Sequence, residues 1–200
     1  MLKEISVKDE KKLREWLDER SQEIDPEVVA KAAEILNRVR KEGDAALIDL
    51  TQKFDGVTMQ DFRVSEAEMD EAEAECDESF KEGMRLAAEN IRTFHKAQLP
   101  QSYLLQQDNG IYLGERVIPL SSVGIYVPGG RAQYPSSVLM NAIPASVAGV
   151  KRIVMVTPPN KEGTINPNIA YAARLAGITE IYKVGGAQAI GALAYGTQSI

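Results

Sequence analysis

GIYVPGGRAQYPSSVLMNAIPASVAG, residues 124–149, changes character in its middle. An apolar run breaks at Pro128-Gly129-Gly130, passes Arg131, and resumes as an apolar, helix-like pattern from about Tyr134 to Ala148. The preceding run, Val123–Val127, has the unbroken apolar character of a strand buried on both faces. The same rhythm continues downstream. Arg152–Thr157 reads as a strand ending at Pro158-Pro159, Asn166–Ala176 as a helix stopped by Gly177, Glu180–Val184 as a strand ending at Gly185-Gly186, and Gln188–Tyr195 as a helix. Strands and helices alternating at this spacing predict a parallel sheet with right-handed crossovers. Three strands make a small sheet, and the sequence stops at Ile200 just after a turn, so a fragment of a longer protein is expected.

Upstream the texture differs. Residues 8–20 and 26–41 have amphipathic helical spacing, the second opened by Asp25-Pro26, a cap followed by proline at the first helical position. Gly43-Asp44 breaks it and begins a further helix to about Phe54. Ser65 and Glu68 have capping-box spacing. Asp77 opens a long helix to about Lys96, with Phe80, Met84, Ala87, Ala88, Ile91 and Phe94 on one stripe. Tyr103–Gln107 and Ile111–Leu113 flank Asp108-Asn109-Gly110 as a hairpin. Residues 1–100 hold 25 acidic and 16 basic side chains, residues 101–200 only 4 and 7, while glycines rise from 3 to 12. A charged helical region therefore meets a glycine-punctuated α/β region near residue 120, giving expected units of 1–120 and 121–200.

Composition narrows the function. A net charge of −6 disfavours nucleic acid as a partner. No apolar stretch reaches 18 residues, the charged N-terminus is unlike a secretory signal, and the single Cys76 forms no internal disulfide, so a cytoplasmic location is expected. In an open parallel sheet, ligands sit outside the carboxyl ends of the strands. Paired glycines there permit positive φ and close approach of a ligand, and the helices that follow offer free N–H groups to an anion. The bland reading is that these pairs only make tight turns. No Gly-x-Gly-x-x-Gly follows a strand, and Gly186–Gly191 has P-loop spacing without the Lys-Ser/Thr. Any nucleotide site is thus atypical.

Individual side chains leave alternatives open. Tyr126 points either to the ligand edge or into the core. Gln188 stands at a helix start, either beside the site or on a solvated surface. Arg131 clamps a phosphate or faces water, the latter favoured, and Ser136 and Ser137 read as helix-start residues. His95, the one histidine, follows a helical pattern and is no general base. One His and one Cys far apart give no metal-ligand spacing, and the acidic run 66–78 reads as a solvated helix face.

Gly124–Gly149, together with Val184-Gly-Gly-Ala-Gln-Ala-Ile190, Ala192-Leu-Ala-Tyr-Gly-Thr197 and Lys53-Phe-Asp-Gly56, closely resembles histidinol dehydrogenase, and the likeness extends over essentially the whole chain. The resemblance implies an α/β fold: a helical N-terminal region, then an incomplete Rossmann-like parallel sheet with flanking helices, of aldehyde dehydrogenase-like architecture. It implies a zinc-dependent homodimer of histidine biosynthesis that oxidises L-histidinol to L-histidine through the aldehyde, using two NAD. Carried over by motif, Tyr126 and Gln188 are NAD contacts, with Pro128 and Phe54 lining the same cleft. The family's zinc ligands (a Gln, two His and an Asp) and its Glu-His acid/base pair belong to a C-terminal part without counterpart here. The resemblance therefore implies no catalytic and no metal-binding residue in this chain, which alone is inactive. The competing readings are a non-catalytic nucleotide- or phosphate-binding α/β module, and an inert scaffold with an oligomerisation arm.

Overall fold

The computed structural model describes residues 9–20, 24–129 and 133–200. Five helices come first: α1 (Glu10–Arg20), α2 (Pro26–Glu42), α3 (Asp44–Asp55), α4 (Glu66–Glu75) and α5 (Glu78–Ala97). The expected starts of α2 and α4 hold at the atomic level. The Asp25 side chain accepts from the Glu27 N–H at 2.8 Å, and Ser65 Oγ accepts from the Glu68 N–H at 3.1 Å, each satisfying a donor the helix itself cannot pair. Asp77 precedes α5 without a side-chain cap bond. The hairpin follows as β1 (Tyr103–Gln106) and β2 (Tyr112–Glu115), antiparallel, turning at Gly110 with φ 83°.

The alternating half contains β3 (Ser122–Tyr126), α6 (Pro135–Val147), β4 (Arg152–Thr157), α7 (Pro167–Leu175), β5 (Glu180–Lys183) and α8 (Gly186–Tyr195). The three strands are parallel in the order β3-β4-β5, with Tyr126 opposite Val156 and Thr157 opposite Lys183. Strand order does not reverse among the described residues, so the sheet edge presents no switch point of its own. The outer edge of β5 is closed by Phe62–Val64: the Val64 N–H donates to the Ile181 carbonyl, and the Lys183 N–H to that of Phe62.

Side chains alternate across the sheet and feed two cores. Ile125, Val127, Met155 and Ile181 face α6 and α7, backed by α4 and α5. Val154, Val156, Tyr182 and Val184 face the other way, onto α2, α3 and α8. Both cores draw residues from either side of residue 120, so the helical region wraps the sheet. Each fully buried Val, Leu or Ile contributes about 1.5–3 kcal/mol of hydrophobic stabilisation.

Two expectations need correcting. Phe94 continues the α5 stripe in sequence but is exposed, its ring edge-on to His95 at 5.4 Å, because the last turns of α5 run past the core. The acidic run is not uniformly solvated. Glu68 turns inward, its Oε2 accepting from Lys183 Nζ at 2.9 Å and its Oε1 from the Ile165 N–H at 3.3 Å. The two side chains are only 15% and 11% exposed.

Candidate functional site at the carboxyl edge of the sheet

The three strands end together. β3 runs into Val127-Pro128-Gly129, β4 into Thr157-Pro158, and β5 into Val184-Gly185, after which α8 begins at once. Neither Gly129 nor Gly185 is left-handed; they are small for another reason. A Cβ on Gly129 would lie 3.1 Å from Pro158 Cγ, and one on Gly185 only 2.6 Å from Pro158 Cβ. Pro158 is wedged between the two neighbouring strand ends, and the glycines make room for it. Packing against Pro158 thus accounts for both glycines, where the sequence left open whether such pairs admit a ligand or only make tight turns. Gly130 and Arg131 lie outside the described residues.

Gly186 is different. Its φ is +64°, a conformation that costs a residue with a Cβ about 1–2 kcal/mol. The turn starts α8 two residues earlier than its sequence suggests, and it aims the Gly186 N–H at Tyr126, whose hydroxyl oxygen accepts it at 3.3 Å. The Tyr126 proton remains free to be donated elsewhere. The side chain of Tyr126 is half-buried on the α8 face of the sheet. It is neither a pure core residue nor free of the fold.

Gln188, in the first turn of α8, is 1% exposed, which rules out the solvated surface. Its amide folds back over the helix start: Oε1 is 2.6 Å from where a Gly186 Cβ would be. Neither Nε2 nor Oε1 has a hydrogen-bond partner. A buried polar group left unsatisfied costs about 1–3 kcal/mol, so this amide opposes folding unless something binds it. α8 adds no acidic side chain in its first turn and no side-chain cap, leaving its positive dipole end uncompensated.

The structure thus brings Tyr126, Gly186 and Gln188 together, with Pro128 two residues beyond Tyr126 on the same edge. Phe54 stands apart from them on α3, the helix packed beside α8. Phe54 is 55% exposed, and the Lys53 ammonium lies 5.4 Å from the centre of its ring. Sequence reasoning missed three further polar groups. Thr157 Oγ1, Thr51 Oγ1 and Asp55 Oδ2 are all buried without partners, and desolvation pushes the Asp55 carboxyl above its usual pKa. Thr157 closes β4 directly after the apolar run 153–156, the one signal that marked it.

The orphaned amide and the tyrosine proton leave this edge with polar groups that hydrogen bonds from a bound polar ligand such as a dinucleotide would satisfy. Zinc is a different matter. Among the described residues no group of three or more His, Cys, Asp or Glu is placed to hold a metal. Nor is any helix among them long and apolar enough to cross a membrane.

A three-stranded parallel sheet wrapped by helices, with unsatisfied buried polar groups at its carboxyl edge, defines an α/β protein. Comparison with known proteins is more specific. The family model described as histidinol dehydrogenase matches residues 18–200, and the chain belongs to that family. It is 55% identical to the histidinol dehydrogenase of Geobacillus kaustophilus over 167 residues, covering 84% of this chain and 39% of the relative. With that of Methanothermobacter thermautotrophicus it shares 45% identity over 200 residues, all of this chain and 47% of the relative. The crystal structure of histidinol dehydrogenase from Elizabethkingia anophelis superposes with a TM-score of 0.85 at 39% identity, over 90% of this chain and 41% of that one. The chain therefore spans less than half the length of these relatives.

Proposed function

We propose that this chain is the N-terminal part of an NAD- and zinc-dependent histidinol dehydrogenase, and that its role is to hold one side of the dinucleotide. The reading rests on family membership and on one observation above all: the buried, unpartnered amide of Gln188 beside Tyr126. The whole protein oxidises L-histidinol to L-histidine through the aldehyde, with NAD accepting hydride when bound. In this chain, Tyr126 donates its proton to a ligand oxygen while its own oxygen stays anchored by the Gly186 N–H. Gln188 offers one donor and one acceptor from a site that excludes water, where each hydrogen bond gains strength. Pro128 lines the same edge, and Phe54 flanks it from α3. Together they bind and orient. None of the four is placed to abstract a proton, and among the described residues no set of side chains is placed to hold zinc. The 200-residue chain is on this reading inactive alone, and the whole protein is a cytoplasmic homodimer.

The test uses the full gene product with L-histidinol and NAD, with and without a chelator, beside the 200-residue chain. NADH formation by the long protein alone, abolished by chelation, is the expected result. Tyr126→Phe should weaken NAD by about 3- to 10-fold, as expected for losing one buried hydrogen bond, and Gln188→Met by about 10- to 100-fold, as expected for losing two. A folded, zinc-loaded protein that makes no NADH would overturn the activity, and NAD affinity unchanged in both variants would overturn the site.

A further inference from the structure

Thr157 sits on the opposite face of the sheet from Tyr126. Its neighbour Val156 packs towards α8, so alternation turns Thr157 with Met155 towards α6 and α7. The residue is 1% exposed, and its Oγ1 has no partner. That oxygen lies 3.1 Å from the position of a Cβ on Gly129, directly under the turn that leaves β3. Nothing in the fold requires a hydroxyl there. Valine has the same shape and the same preference for strands, and it would bury no unsatisfied group.

Orphaned polar groups therefore stand at this edge on opposite faces of the sheet, Gln188 on the α8 side and Thr157, next to Pro158, on the α6–α7 side. A ligand confined to the α8 face would satisfy only the first. We propose that Thr157 is a ligand-contacting residue, its hydroxyl donating to an oxygen in the ribose–phosphate portion of a dinucleotide that crosses the end of β4 from one face to the other. This rests on the reading that the dinucleotide lies at this edge. It adds a contact, and it assigns the ligand a path over Pro158.

The test compares Thr157→Val, Thr157→Ser and Gln188→Met in the full gene product, by NAD titration calorimetry and by thermal melting without NAD. Thr157→Val should raise Kd about 3- to 10-fold while leaving the ligand-free melting temperature unchanged or higher, because an unsatisfied group has gone. Thr157→Ser, which keeps the hydroxyl, should stay within about twofold of wild type. If Thr157→Val binds NAD normally while Gln188→Met does not, the inference fails and the edge site stands. If both bind normally, the edge site fails and the inference with it. A Thr157→Val protein that melts lower and binds worse, with Thr157→Ser equally impaired, would make the residue structural and overturn the proposal.

Discussion

Gly186→Ala separates backbone strain from ligand contact. At φ +64° an added Cβ costs about 1–2 kcal/mol in backbone conformation. It also meets Gln188 Oε1 at 2.6 Å, and since that atom is the far end of a flexible side chain, the amide moves and the helix stays. Gly177→Ala is the internal control. Gly177 has φ +79° and nothing within 4 Å of its virtual Cβ, so it carries the same backbone cost and touches no polar group. In the full gene product, more than twice the length of this chain, each kcal/mol lowers the melting temperature by only about 1–2 °C, so both variants should fall by roughly 1–4 °C. Only Gly186→Ala should lose NAD, by about tenfold, as the displaced amide gives up its hydrogen bonds. Differential scanning fluorimetry and calorimetric titration on the full gene product read the two effects separately. A Gly186→Ala protein with wild-type NAD affinity, or a Gly177→Ala protein equally weakened, would refute the reasoning.

Two more predictions concern the scaffold. Lys183→Met strands the Glu68 carboxylate in a largely buried place and should cost about 3–5 kcal/mol in urea unfolding, much of it recovered by adding Glu68→Leu; a loss below about 1 kcal/mol would mean that the pair is solvated. The Arg152 guanidinium, bound through Nε and Nη2 to Glu180, holds that carboxyl below its usual 4.5. A depressed carboxylate stabilises the fold above the unfolded-state value and loses that contribution as pH falls through the folded one. Arg152→Gln should therefore melt below wild type at neutral pH, with the gap closing as the pH drops below about 4.5; a gap independent of pH would assign the loss to packing.

What the sequence made legible was local. Apolar runs broken by glycine and proline marked β3, β4 and β5 to within a residue or so, and Asp25 and Ser65 marked helix starts because a cap acts on N–H groups two or three residues away. What it hid depends on partners distant in the chain. Gly129 and Gly185 read either as ligand-facing or as merely tight turns because Pro158, the side chain they accommodate, lies 29 residues from one and 27 from the other. Glu68 reads as one more acid in a solvated run, since only the fold brings Lys183 beneath it. Gln188 was legible by resemblance to a family, while its burial without a partner is a property of three-dimensional packing alone. Thr157 escaped notice because a threonine ending a strand satisfies β propensity whether or not its hydroxyl is used.

The closure of β5 by Phe62–Val64 gives the sheet a direction of growth. One flank already has its backbone groups engaged, while among the described residues nothing pairs with the outer flank of β3. An additional strand, whether from more of the same polypeptide or from another molecule, finds unpaired strand backbone beside β3, on the side of Tyr126. The sheet is thus extensible from one side, and each increment brings new backbone next to the tyrosine while Lys183 and Glu68 keep their surroundings.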